Sequence, residues 1–282
     1  MHVAADAPRR PALRYYGGKW KLAPWIISFF PEHKNYVEPC GGAASVLLQK
    51  PRSPLETYND LDGNVVNFFR MLRDQPDELI RKIRLTPWAR AEYEICEIDC
   101  DDGIERARRF WIRSAMTISS MGGGSGWRSI KNREHGNGVP SWFYDSLEHL
   151  ESAASRLKLV QIDCINYVEF IAKYDCDTAV IYFDPPYIQD ERTSKREYTF
   201  EWSNADHVEA AALLRSCQGY VVVSGYACPL YTELYEAHGW QRFDKEAQTN
   251  SGGKRIESVW ISPRTAEALQ RPEQGALFTR GM

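Results

Sequence analysis

The stretch Ala179-Val-Ile-Tyr-Phe-Asp-Pro-Pro-Tyr187 decides the reading of this chain. Residues 179–183 are apolar throughout, the pattern of a short strand covered on both faces. Asp184-Pro185-Pro186-Tyr187 follows at once. Open α/β sheets bind ligands in the crevice beyond the carboxyl ends of their strands, and that is where this tetrapeptide falls. Two prolines fix φ and remove two backbone donors, so the turn is rigid and its carbonyls stay free as acceptors. An acid and an aromatic flanking such a turn suit a planar group that carries an amine. The carboxylate and a carbonyl accept its N–H bonds while the ring stacks on the tyrosine. For a bare Asp-Pro-Pro-Tyr, a proline-stiffened strand end is the plain structural alternative.

Working outward, the remaining β-rich runs are Tyr36 to Glu38, Leu55 to Asn59, Leu159 to Ile162, Tyr220 to Ser224 and, last, Ser258 to Ile261. Asn64 to Arg73 and Asp206 to Arg215 carry apolar residues at helical spacing. Strands separated by helices mark an α/β domain. Residues 75–154 differ in character. An acidic stretch from Glu92 to Asp102 precedes a basic one, in which Glu105 to Arg133 holds seven basic residues and one acidic. Met121-Gly-Gly-Gly-Ser-Gly126 then leads to Trp127-Arg128, too glycine-rich for a regular element. This predicts an inserted, mostly helical segment with a basic loop between two halves of one domain, 1–74 and 155–263. Residues 264–282 read as a polar, disordered tail.

Two further turns add to the first. Tyr36-Val-Glu-Pro-Cys-Gly-Gly-Ala-Ala-Ser45 is a strand, a glycine turn and a helix start, where backbone can approach a ligand closely. It lacks G-x-G-x-x-G, which disfavours an ordinary dinucleotide site. Asp60 lies about twenty residues after Glu38 and ends the next strand, the place from which an acid hydrogen-bonds ribose hydroxyls. Upstream, Tyr15-Tyr16-Gly17-Gly18-Lys19 sets an aromatic and a cation beside another glycine turn.

Composition excludes several classes. With 43% hydrophobic and 26% charged residues the chain can bury a sizeable core and is not of the disordered class. No apolar run approaches the ~18 residues of a membrane span, and Met1 to Leu13 has no apolar core, so neither a membrane anchor nor a secretory signal is expected. Seven scattered cysteines predict reduced thiols in a cytoplasmic protein. Cys96 and Cys100 lack the partners of a zinc set, so no metal is expected. A formal net charge of −3 rules out a uniformly basic nucleic-acid coat; any such site must concentrate its charge locally.

The order of these motifs resembles the Dam-type DNA adenine-N6 methyltransferases. Y-x-G-G-K, E-P-x-G-G, an Asn-Asp about twenty residues on, an insert and D-P-P-Y appear here in sequence. Ser224-Gly-Tyr226 and Arg255-Ile-Glu-Ser-Val-Trp-Ile-Ser-Pro263 extend the likeness nearly to the end. Asp at the head of D-P-P-Y looks like the adenine branch; cytosine-N4 enzymes usually carry Ser there, and glutamine-modifying relatives Asn. The resemblance implies a Rossmann-like sheet that binds S-adenosylmethionine (SAM), a target-recognition insert at 75–154, and duplex DNA as partner. It places Tyr15, Gly17, Gly18 and Lys19 on the cofactor side. Glu38, Pro39, Cys40, Gly41 and Gly42 would wrap the methionine moiety, and Asp60 would hold the ribose. Asn166 and Tyr167 lie where relatives set Asp-Phe against the cofactor adenine, and the Asn is a departure. Asp184, Pro185, Pro186 and Tyr187 would hold the target amine and stack on the base. No covalent intermediate is needed, and a base inside a duplex must be flipped out to reach such a pocket.

In the insert, Arg128, Lys131, Asn132 and Arg133 are residue types that contact phosphates and purine edges, and Trp127 has the size to fill the gap behind a flipped base. The hairpin of GATC-reading relatives is not matched, so GATC is not implied; the glycine-rich loop looks more like phage or prophage relatives. Gln274-Gly-Ala-Leu-Phe278 resembles the Q-x-x-L-F peptide that docks bacterial proteins on the replication sliding clamp. Two other functions stay open at this point. One is a DNA-binding relative that has lost catalysis; the other is a SAM-dependent methyltransferase acting on RNA or a protein amide.

Overall fold

The computed structural model describes residues 4, 7–118, 126–129, 147–188, 201–248 and 254–271. Seven strands form one sheet. In chain order they are β1 (Asn35–Glu38), β2 (Leu55–Asn59), β3 (Val160–Asp163), β4 (Ala179–Phe183), β5 (Tyr220–Gly225), β6 (Gln241–Gln248) and β7 (Lys254–Ile261). Their spatial order is β3-β2-β1-β4-β5-β7-β6. The first five are parallel, and β7 runs antiparallel to both β5 and β6. From β1 the chain builds outward through β2 and β3, then returns to β4 on the other side of β1. The carboxyl ends of β1 and β4 are therefore a topological switch point, where loops leave in opposite directions and open a crevice.

Strand periodicity divides the core cleanly. Val180 and Tyr182 face one layer while Ala179, Ile181 and Phe183 face the other. The second layer contains α7 (Tyr167–Tyr174), α8 (Asn204–Ser216) and α9 (Pro229–Leu234). The first contains α1 (Ala23–Ile27), α2 (Gly63–Asp74), α3 (Pro76–Leu85), α4 (Arg90–Ile95), α5 (Gly103–Met116) and α6 (Leu147–Leu157). Helix starts follow local chemistry. Asp62 and Asp102 accept backbone N–H bonds at the heads of α2 and α5, and Ser203 with Asp206 closes a capping box on α8.

Within 75–154 lie α3, α4, α5 and most of α6, and their apolar residues join the core beneath the sheet. Leu79, Phe110, Trp111 and Leu150 belong to the same buried cluster as Tyr36 and Tyr182. Trp111 Nε1 donates to Ala12 O at 3.0 Å, which ties α5 to the N-terminal segment. The basic run of α5 is less free than its sequence suggests. Arg108 pairs with Glu105 and Glu92, Arg109 with Glu105, and Arg113 with Glu97. Arg108 and Arg109 hold the Glu105 carboxyl down at about 2, so these arginines are spent on Glu92, Glu97 and Glu105.

Two further expectations are corrected. β6 was not expected, because Gln241-Arg-Phe-Asp-Lys-Glu-Ala-Gln248 is charged, and 241–246 are exposed; those are the residues that suit an outer edge strand. The tail read as disordered from residue 264 begins instead with α10 (Pro263–Gln270). Ser262 caps it, and Thr265, fully buried, donates to Val221 O on β5. Among the described residues no helix is long and apolar enough to cross a membrane.

Candidate active site

Carboxyl-end loops of β1, β2, β3 and β4 and the N-terminal glycine turn line a cleft of about 320 Å³ at the switch point. Its floor is the turn after β1. A Cβ on Gly41 would lie 2.0 Å from the Tyr58 ring, so only glycine fits there, and Gly42 adopts a left-handed φ of +47°. β2 locks this turn from beside it. Tyr58 OH donates to Gly42 O at 2.7 Å, and Asp60 Oδ2 accepts from Gly42 N at 2.8 Å. Asn59 clips three loops together, donating to Pro39 O and Ile165 O while Oδ1 accepts from Ile165 N, each at 2.9 Å.

Of the acids in this half, Glu38 is buried and Asp60 half-buried. Desolvation raises the Asp60 carboxyl to about 6, and Glu38, fully enclosed, to about 8. Glu38 Oε2 also accepts from Tyr36 OH at 2.8 Å. Burial and the nearby Asp60, Asp184 and Glu38 push the Cys40 thiol well up, which keeps it a poor nucleophile. Tyr15, Tyr167 and Trp202 supply aromatic surface, with Tyr167 and Trp202 5.1 Å apart. Ser45 Oγ is buried on the cleft wall without a hydrogen-bond partner among the described residues. Buried carboxylates, aromatic faces and an unspent hydroxyl fit a cationic, ribose-bearing and base-bearing cofactor such as SAM.

At the end of β4 the Asp184 carboxylate is held from two sides. Ser224 Oγ, at the matching height on β5, donates to Oδ1 at 2.6 Å and bonds Tyr182 OH at 2.9 Å. Lys19 Nζ lies 3.1 Å from Oδ2, donates to Gly17 O at 2.8 Å and stands 4.4 Å from the Tyr187 ring centroid. Tyr187 OH donates to Glu257 Oε2 at 3.0 Å, Tyr226 meets its ring edge-on at 4.4 Å, and Arg255 bonds Tyr226 OH. Burial raises the Glu257 carboxyl, against the pull of Lys19.

The structure thus brings Tyr15, Gly17, Gly18, Lys19, Glu38, Pro39, Cys40, Gly41, Gly42, Asp60, Asn166, Tyr167, Asp184, Pro185 and Pro186 to one cleft. Tyr187 is placed differently from the expected open stacking face: it is buried, with Lys19 over its ring. Asn166 caps α7, accepting from Val168 N at 2.8 Å, a bond that Asp would accept equally well. Trp127 is not an exposed wedge, since it packs against the core with Arg90 over its ring at 4.8 Å. Arg128 N donates to Met116 O. Lys131, Asn132, Arg133 and the Gln274 to Phe278 peptide lie outside the described residues. Asn59, Ser45, Ser224 and Glu257 were noted only within quoted motifs and not as site residues, and Trp202 was not noted. Among the described residues no cluster of His, Cys, Asp or Glu could hold a metal.

Comparisons with known proteins agree with this geometry. Residues 15–251 match the family described as D12 class N6 adenine-specific DNA methyltransferase. A "DNA adenine methylase" of Vibrio cholerae is 28% identical over 64% of this chain, and the match spans 65% of that protein's length. "Type II methyltransferase M1.LlaDCHI" of Lactococcus lactis is 27% identical over 89% of this chain and 94% of its own. "Type II methyltransferase M.MjaIII" of Methanocaldococcus jannaschii is 21% identical over 89% and 96%.

Proposed function

Because the chain belongs to the D12 class of N6 adenine-specific DNA methyltransferases, we propose that it methylates N6 of an adenine flipped out of duplex DNA. The observation that carries this reading is the Asp184 carboxylate at the crevice, with Oδ1 bonded to Ser224 and Oδ2 paired with Lys19. Adenine N6 is a poor nucleophile because its lone pair is delocalised into the ring. Asp184 Oδ2 and the Pro185 carbonyl accept its two N–H bonds, which favours the pyramidal geometry that frees the lone pair. Positive charge then develops on nitrogen beside a preorganised carboxylate, and that is stabilising in a water-poor site. SAM supplies the electrophilic methyl group. Glu38 and Ser45 hold its methionine end, Asp60 its ribose, and Tyr167 with Trp202 its base. Cys40, kept as a thiol, takes no part.

The remaining readings join this proposal. Residues 75–154 carry target recognition, with Arg128, Lys131, Asn132 and Arg133 as contacts and Trp127 packed behind them as support. The type II names of two relatives support a restriction-modification setting, and a DNA substrate supports action in the cytoplasm. Docking of Gln274 to Phe278 on a sliding clamp is tested by pull-down; equal retention of a Leu277→Ala/Phe278→Ala variant ends it. The main test is methyl transfer from labelled SAM to adenine-unmethylated genomic DNA, offered beside RNA and protein. Label in N6-methyladenine, absent with Asp184→Ala, is the expected result. Label in RNA or protein, or none at all, overturns the reading.

A further inference from the structure

Lys19 places its ammonium on the carboxylate oxygen that the reading above gives to the target amine. An ammonium has three N–H bonds, and Gly17 O at 2.8 Å, Asp184 Oδ2 at 3.1 Å and the Tyr187 face at 4.4 Å account for three partners. Two of these, the carboxylate oxygen and the tyrosine ring, are the groups that adenine would use. Oδ1 is already taken by Ser224, so Oδ2 is the oxygen free to change partners. Lys19 itself is only 6% exposed. A base cannot stack on the ring while Nζ stands over it, nor can N6 reach an oxygen that the ammonium covers.

We propose that Lys19 is a placeholder for the target base: it neutralises Asp184 and covers Tyr187 until an adenine displaces it. The proposal rests on the adenine-methylation reading. The chain is built for such an exchange. Lys19 O accepts from Leu22 N at 2.8 Å and Ala23 N at 2.7 Å at the head of α1, which anchors the backbone while the four-carbon stem is free to swing.

Displacement has two consequences. The Asp184 carboxylate gives up its counter-cation only when N6 is in place to use it, so it is armed by its substrate. Arrival of the base also carries a displacement cost, which lowers the fraction of enzyme ready to receive it and raises the apparent dissociation constant in proportion. A base that is poorly flipped, or lacks a 6-amino group, does not repay that cost. Lys19 is therefore a positioning residue that acts through Asp184 and Tyr187.

The test is steady-state methylation of adenine-unmethylated genomic DNA at saturating SAM by wild type, Lys19→Met and Lys19→Arg. Loss of the ammonium should lower KM for DNA about three- to tenfold, and Lys19→Arg, which keeps the charge, should return KM toward wild type. A structural role would instead lower kcat in both variants and leave KM alone. An unchanged or raised KM in active Lys19→Met overturns the proposal. Side-chain 15N NMR of wild type gives an independent arm should the Met variant misfold. The Lys19 ammonium signal, identified by its absence in Lys19→Arg, should shift on adding the same DNA with S-adenosylhomocysteine; a signal that does not move also overturns the proposal. Wild type that forms no N6-methyladenine refutes the underlying reading and takes this one with it, an outcome distinct from the other two.

Discussion

Ser224→Ala removes the hydroxyl that fixes Asp184 Oδ1 and leaves every atom of the catalytic turn in place. The bond is 2.6 Å long, within the range of a hydroxyl donating to an ionised carboxylate. A hydrogen bond to a charged group contributes roughly 1.5–3 kcal/mol. Expressed wholly in the transition state, with tenfold in rate for each ~1.4 kcal/mol, that is about ten- to a hundredfold in kcat. The same substitution strands Tyr182 OH, which is 1% exposed and bonded to Ser224 at 2.9 Å. An unsatisfied buried hydroxyl costs roughly 1–3 kcal/mol, so Tm should fall at roughly 2–4 °C per kcal/mol. The two effects separate in the double variant. Tyr182→Phe removes the stranded hydroxyl, so Ser224→Ala/Tyr182→Phe should regain stability without regaining rate. The assay is single-turnover methyl transfer at saturating DNA and SAM, with thermal unfolding and S-adenosylhomocysteine titration alongside. A kcat for Ser224→Ala within about twofold of wild type, or one restored by Tyr182→Phe, refutes the argument that Ser224 orients the carboxylate.

Three further outcomes follow from the same geometry. Gly41→Ala drives a methyl into the Tyr58 ring at 2.0 Å and must move the turn that lines the cleft, so calorimetry should show S-adenosylhomocysteine binding lost while the chain stays folded. Glu38 sits near 8 against an ordinary 4.5; the folded state therefore holds a proton that the unfolded chain has released. Its contribution to ligand-free stability is present below the lower value and is lost as pH rises through the upper one. That proton must leave before Glu38 can pair with the methionine ammonium, so cofactor affinity should rise with pH up to about 8, by at most about tenfold per pH unit. Glu38→Gln should flatten both profiles, as read by the difference between variant and wild type. Glu56, 2% exposed, accepts from Lys50 at 2.6 Å and from both terminal nitrogens of Arg156. Glu56→Ala leaves two buried cations unpaired and should cost about 3–5 kcal/mol in denaturant unfolding, without changing kcat of the folded fraction.

The strands that carry the site were legible because they are buried on both faces, so Ala179 to Phe183 and Tyr220 to Ser224 show unbroken apolar runs. β6 was not, because an edge strand exposes its side chains and tolerates the charges that make Gln241 to Gln248 look like loop. The tail helix escaped notice because its anchor is a threonine whose burial depends on Val221 of β5. In the site, Glu38, Asp60 and Asp184 were found because each stands in a short turn whose own chemistry is unusual. Ser224 had no such local signal, and Asn59 was visible only as the neighbour of Asp60 in the Asn-Asp pair. Their roles depend on partners 40 and 106 residues away.

From the sequence alone came the sheet class, the crevice at its carboxyl edge, and the acids, glycines and aromatics that meet there, since backbone preference and burial pattern are local properties of the chain. Tertiary structure alone decided how those groups are spent: Lys19 on Asp184, Ser224 behind it, Tyr187 turned inward to Glu257, and the arginines of α5 on their neighbouring glutamates. Electrostatic and hydrogen-bond energies depend on separation in space and on the surrounding dielectric. Both are set only when distant segments pack.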